Sequence, residues 1–212
     1  MASNYGKIIN ENLSRLFSQL PDDLEDLLGG ERRGDHFCFR AFGEECCIGP
    51  DKIALSGKPV EDPRGLLVSL YAINTSPDPI QLEPLRSFKD LPGSMPYQGA
   101  FRANSEQVLV PHTLAIQEKQ ERIKESFDGQ DGDRGLGGDF GFVLNPLPKI
   151  ALCYIFYLPD DEFPASATCL FSANALSFMP LDGLADVAEY TSRGILRLIR
   201  AYPRDSRGKP ED

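Results

Sequence analysis

The chain has 212 residues, 41 % of them apolar and 25 % charged, a mix that suits a folded globular chain and excludes a disordered or fibrous one. Lys and Arg number 22 against 32 Asp and Glu, a formal net charge of −10, so a nucleic-acid partner is disfavoured unless a local basic patch offsets the repulsion. No run approaches the ~20 apolar residues a membrane-spanning helix needs.

The start, MASNYGKIINENL, lacks a basic segment followed by an apolar one, so no signal peptide and a cytoplasmic location are expected. There the five cysteines should stay reduced. Asn4–Leu20 has Ile9, Leu13, Leu16, Phe17 and Leu20 at helical spacing, which predicts an amphipathic helix. Pro21-Asp22-Asp23 ends it and opens a second helix over Leu24–Leu28, stopped by Gly29-Gly30. In DHFCFRAFGEECCIGPDKIALSG, Phe37, Phe39 and Ala41 alternate with His36, Cys38 and Arg40. That alternation, with turns at Gly43 and Gly49-Pro50-Asp51, predicts about three short antiparallel strands.

Asp62-Pro63 starts a helix to about Ile73, with Pro in the first turn. Asn74 to Pro111, rich in Pro, Gly and Ser, reads as a long irregular connection, and loops of that length tend to be functional. A charge-rich helix over Thr113–Phe127, a flexible Gly-rich loop (DGQDGDRGLGGD) and strands at Phe140–Leu144, Ile150–Leu158 and Ala165–Phe171 follow. The second of these is nearly all apolar, the mark of a central strand covered on both faces. Pro180 opens a last amphipathic helix to about Ile199. Arg193, Arg197, Arg200, Arg204, Arg207 and Lys209 read as cations at its C-terminus and in a solvated tail. The order predicts an α+β fold with a largely antiparallel sheet and helices packed on it. Residues 1–33 form an N-terminal helical segment, 34–200 a single α+β domain and 201–212 a disordered tail.

His36 and Cys38 share one strand face, and a hairpin turning near Gly43 could bring Cys46 or Cys47 beside them. Nitrogen and sulfur ligands of this kind suit zinc, an iron–sulfur corner or a corrinoid or haem axial position. Adjacent Cys46 and Cys47 must point to opposite faces of a strand, so at most one joins the cluster. Cys153 and Cys169 lie directly opposite each other if Leu158 pairs with Pro164, and a one-residue slip puts them on opposite faces. Pro159-Asp160-Asp161 is good turn chemistry, whereas Glu162-Phe163-Pro164 is not explained by a turn, and Phe163 beside three acids is expected to fold back onto the core. The Gly-rich loop fails the phosphate and calcium templates, no G-x-S-x-G elbow is present, and two histidines leave few ways to build a catalytic triad.

The run GGDFGFVLNPLPKIALCYIFYLPDDEFPASATCLFSANALSFMPLDGLADVAE carries a Gly-Asp before a strand, a Leu-Pro-Lys, a long apolar strand and then Glu-Phe-Pro-Ala. With Ser87-Phe88-Lys89-Asp90-Leu91-Pro92-Gly93 upstream, it resembles the domain-of-unknown-function family 3786 over about Gly34 to Ile199. The resemblance implies a family of mostly anaerobic bacteria and archaea, some of whose members carry an N-terminal cysteine-rich iron–sulfur segment. That segment has no counterpart here, because no cysteine precedes Cys38. Asp139, Pro148, Glu162, Phe163, Pro164, Leu170 and Phe171 match the family's motifs, which carry no assigned role.

The expectation is a soluble binding or accessory module in anaerobic metabolism, holding a partner protein or cofactor against the sheet and the Asn74–Pro111 loop. Glu162, Phe163 and Asp139 are the candidate contacts. The alternative is a metal- or cofactor-dependent enzyme using His36, Cys38 and Cys46 or Cys47, with Glu162 as acid/base. A third reading is a structural subunit whose apolar patch is covered in an oligomer.

Overall fold

The structure, a computed structural model, describes residues 4–132 and 137–200. The expected disordered tail lies outside these residues, as does the middle of the Gly-rich loop. The fold is α+β, with two antiparallel five-stranded sheets and helices packed on them.

Helix α1 (Asn4–Ser18) buries Ile9, Leu13 and Leu16 on one face, as their spacing predicts. It is followed by α2 (Leu24–Leu28), which ends on Gly29 in the left-handed conformation. The first sheet is a meander of β1 (Glu31–Arg33), β2 (His36–Ala41), β3 (Glu44–Ile48), β4 (Ile53–Leu55) and β5 (Lys58–Pro59) in that order. Its β2–β3 turn needs two successive residues with positive φ, Phe42 at 52° and Gly43 at 79°. This is the two-residue turn whose twist matches the strands. Helix α3 (Pro63–Ile73) is capped by Asp62, whose carboxylate accepts from Arg64 N–H at 2.9 Å and Gly65 N–H at 3.1 Å.

The second sheet runs β6 (Arg86–Ser87), β10 (Ser166–Phe171), β9 (Ile150–Tyr157), β8 (Phe140–Leu147), β7 (Gln130–Asp131). Strand β9 is central, as its apolar run requires. Ile150, Leu152, Tyr154 and Phe156 face one large core shared with the first sheet and with α7 (Leu181–Arg200), from which Leu184, Val187, Ala188 and Ile195 are fully buried. Ala151, Cys153 and Ile155 face the other way, into a separate small cluster with Val143, Leu82, Leu85 and Leu170.

Two expectations about the middle of the chain are corrected. Residues 74–111 are not irregular throughout: α4 (Gln98–Phe101) runs into a π-helical turn over Arg102–Gln107, flanked by short 3-10 turns. These turns exist because Phe88 and Phe101 stack, centroids 4.2 Å apart, and both pack on Phe171. Contacts of that range leave no local period in the sequence. The single helix expected over Thr113–Phe127 is two, α5 (Thr113–Glu118) and α6 (Gln120–Ser126). They part at Lys119, whose Nζ donates to the Ile199 carbonyl in the last turn of α7 at 2.7 Å.

Candidate ligand cleft

The outer cluster on the second sheet is covered by a strap, residues 76–85, rather than by a helix. Side chains from elsewhere hold it down. Lys149 Nζ donates to Ser76 O at 2.6 Å, and Asn174 both accepts from Gln81 N–H and donates to Pro79 O, each at 2.9 Å. Ala173 N–H donates to Gln81 O at 2.7 Å. Leu82 and Leu85 then pack onto the sheet, while Ile80 stays 38 % exposed.

The strap does not cover the whole face. A cleft of about 580 Å³ opens beside it, floored by Val143 and Ala151 and walled by Ile80, Leu82 and Pro148. Arg40, Asp128, Gln130 and Asn145 supply its polar side. A second opening of about 410 Å³ shares Leu82, Gln130 and Val143 with the first and adds Glu83 and Asp131, so one groove runs on both sides of Leu82.

The polar wall is built by a β-bulge. The β8–β9 register shifts between Leu144 and Leu147, where Asn145-Pro146 interrupts the strand. Proline has no N–H for the ladder and is tolerated at such a bulge. Its freed carbonyl accepts from Phe42 N–H at 2.7 Å and ties the bulge to the first sheet. Asn145 turns to Asp128, donating from Nδ2 to the Asp128 carbonyl at 2.7 Å, and its own N–H donates to Phe127 O at 3.0 Å. Asp128 sits at φ 49° and directs its carboxylate to Arg40 Nε at 2.8 Å. Arg40 Nη2 also donates to Gly43 O and Ser126 O. The guanidinium is thus held by three neighbours, which set its place in the wall.

The sequence-predicted residues lie elsewhere. Glu162 and Phe163 are in the β9–β10 turn, where their N–H groups both donate to Asp160 Oδ1, at 2.8 and 2.7 Å. Asp160 is the residue that shapes the turn. Phe163 is 67 % exposed rather than folded onto the core. Asp139 caps a strand end, accepting from Leu158 N–H at 2.6 Å, and lines a polar cleft of about 520 Å³ with Gln120, Glu121 and Asp131, the last of which also lines the opening beyond Leu82.

The cysteine cluster is corrected. Cys46 is opposite Phe39 and wholly buried in the core, so it faces away from His36 and Cys38. Cys47 is directly opposite Cys38 and the two form a disulfide, where free thiols were expected. Their Cα atoms are 4.2 Å apart, near the roughly 4.5 Å of a non-hydrogen-bonded antiparallel pair, in which facing side chains come closest. Among the described residues, no group of three or more His, Cys, Asp or Glu side chains is arranged to hold a metal ion.

Cys153 pairs with Leu170 rather than Cys169, the slipped register, so these two thiols lie on opposite faces of the sheet. Cys153 is buried under the strap, and its thiol is pushed up to about 11, first by burial and then by Glu83. Cys169 is buried on the core face beside Tyr154, and its thiol is also pushed up by burial.

One group that the sequence did not single out is Glu106, in the π-helical turn. Its carboxylate accepts from Cys169 N–H at 3.0 Å, above the short reach of β6 along β10. Burial holds this carboxyl above the ordinary glutamate range, partly offset by the Cys169 N–H and by Arg102. It lines a third cleft, about 360 Å³, with Arg102, Val110 and Ala165. Behind it, Ser192 donates its hydroxyl proton to Ser105 O at 2.7 Å, and the buried Tyr154 hydroxyl lies 3.2 Å from Ser192 Oγ and 3.4 Å from Ala188 O.

The protein is thus an α+β fold with a concave cleft between a β-sheet and a loop strap. The chain belongs to the family described as Domain of unknown function (DUF3786), whose family model matches residues 8–193. That match begins within α1, ahead of the Gly34 at which the resemblance was read. No curated protein and no solved structure matches the chain.

Proposed function

We propose that the protein is a binding or accessory module that holds a small, largely apolar ligand or cofactor in the cleft under the strap. The anaerobic setting implied by the family supplies its metabolic context, and the cytoplasm its location. The observation that supports this reading is the cleft itself: about 580 Å³ with an apolar floor and one polar wall. Small-molecule sites have this size and make-up, a few fixed polar groups set in an apolar surround. A protein partner needs about 800 Å² of surface on each side, which a concave slot of this size does not offer. The fixed Arg40–Asp128 pair and the Asn145 side chain set orientation, and the floor supplies affinity through apolar burial.

The test is retention of small molecules from a cell extract by the purified protein, read by mass spectrometry, against Gln130→Trp. Gln130 is exposed on the rim, so the indole fills the groove without entering the core. The expected result is a compound held by the wild-type protein and lost in Q130W at an unchanged unfolding midpoint. Equal retention by both proteins overturns the assignment.

A second reading, an enzyme working by general acid/base chemistry, is favoured by one observation: the raised Glu106 carboxyl at the wall of its own cleft. In that reading Glu106 replaces Glu162 as the proton carrier, since Glu162 stands exposed at a turn. Turnover that survives Glu106→Gln excludes it.

A further inference from the structure

Strand β2 presents His36, Cys38 and Arg40 outward, away from the core filled by Phe37, Phe39 and Ala41. Cys47 of β3 lies on the same outward face. A side chain there should be solvent-exposed, yet Cys38 is only 4 % exposed, while Cys47 keeps part of its surface open. The strand registers explain the difference. Glu31 is opposite Cys38, Arg33 is opposite His36 and Glu45 is opposite Arg40. Arg33 donates to Glu31 Oε1 from Nε at 2.7 Å and to Glu45 Oε1 from Nη1 at 2.6 Å. This ion triad spans β1 to β3, and its diagonal from the level of His36 to that of Arg40 passes the level of Cys38, which accords with the lower exposure of Cys38 than of Cys47.

We propose that Cys38–Cys47 is a thiol–disulfide exchange site for a dithiol reductant, with Cys47 as the sulfur attacked and Cys38 as the leaving thiolate. A thiolate of the dithiol bonds to Cys47 Sγ as the Cys47–Cys38 bond breaks, and Cys38 departs with the electron pair. The second thiol of the reductant then attacks its own partner sulfur in the mixed disulfide, releasing Cys47. The dithiol becomes a disulfide, the protein gains two electrons and two protons, and the reverse reaction with a protein disulfide restores the pair.

Three observations support reversibility. Strand pairing does not depend on the bond, because the Phe42–Gly43 turn and the buried Phe37, Phe39, Cys46 and Ile48 hold β2 against β3. The two cysteines are nine residues apart, so the bond closes a short loop that the hairpin already closes, and its contribution to stability is correspondingly small. The outward row around Cys38 carries Arg33 and Arg40 against Glu31 and Glu45, so cations and carboxylates balance there and no net negative charge opposes the departing thiolate. β4 and β5 add only Ala54 and Pro59 to that row. For a chain in the cytoplasm, the location proposed above, disulfides are characteristically transient or redox-sensing. The exchange chemistry itself does not require the ligand cleft.

The test uses the full-length folded protein, titrated with dithiothreitol without denaturant, alkylated and read by peptide mass spectrometry. Cys38 and Cys47 should become labelled together, with Cys46, Cys153 and Cys169 unlabelled. With glutathione disulfide, Cys38→Ser should gain one glutathione at Cys47, while Cys47→Ser reacts at Cys38 about tenfold more slowly, following access. Reduction that needs denaturant, labelling spread over all five cysteines, or faster capture at Cys38 than at Cys47 overturns the proposal. Should a serine variant misfold, the wild-type labelling pattern decides alone.

Discussion

The two sheets use their outward faces differently. In the first, core residues alternate with His36, Cys38, Arg40 and Glu45, so the outer face is polar and is finished by ion pairs and one disulfide. In the second, β9 is apolar on both faces, and its outer side must be covered by something the sheet does not provide. A loop strap with two leucines does this incompletely, and the groove follows from the shortfall. A one-face sheet can be finished by its own side chains, whereas a two-face sheet covered by a loop leaves room for a ligand.

The largest expected effect tests which face carries stability. Leu152→Ala, on the core face of β9 and fully buried, should cost about 2–5 kcal/mol in chemical denaturation. Ile155→Ala, on the outer face of β9 in the small cluster and at the wall of the polar cleft, should fall at the lower end, about 2 kcal/mol, because its surroundings are more open. Equal losses would erase the distinction between the two faces. Next, Asn174→Ala removes two hydrogen bonds to the strap, about 1–3 kcal/mol together. That loss should appear chiefly as faster hydrogen exchange at Gln81, not as a lower global midpoint.

A subtler expectation concerns pH. Burial raises the folded-state value of Glu106 above its unfolded value, so the protonated carboxyl favours the fold. Stability from this group is therefore greatest below the unfolded value and is lost as pH rises through the raised one. Glu106→Gln, which keeps an oxygen for Cys169 N–H, should be at least as stable as wild type at pH 7, and its advantage should vanish in acid. An advantage that grew on acidification would reverse the assignment. Smallest of all, Glu45→Gln at the half-exposed triad on the first sheet should change stability by less than about 1 kcal/mol.

Much of this was legible in the sequence. Alternation in HFCFRA gave β2, the run IALCYIFY marked a strand needing two covers, and Asp62-Pro63 marked a capped helix start. The site was less legible, for identifiable reasons. Glu162-Phe163 drew notice through composition, yet Asp160 explains its conformation locally. Arg40, Asp128 and Asn145 lie far apart in the chain and converge only because a bulge, a left-handed residue and a hairpin turn meet. Asn145-Pro146 inside a strand was the one local sign of that bulge. Glu106 left none, since its burial is set by β10 and α7. The Cys38–Cys47 bond turned on a register that alternation alone does not fix.

The groove beneath the strap is tested most directly by amide chemical shifts of the labelled protein against a library of small aromatic and aliphatic fragments. Binding should move Gln130, Val143, Asn145 and Ala151 together, and Q130W should abolish the response. Fragments that leave these four amides unmoved, or that cluster instead in the polar cleft at Asp139, would contradict the account.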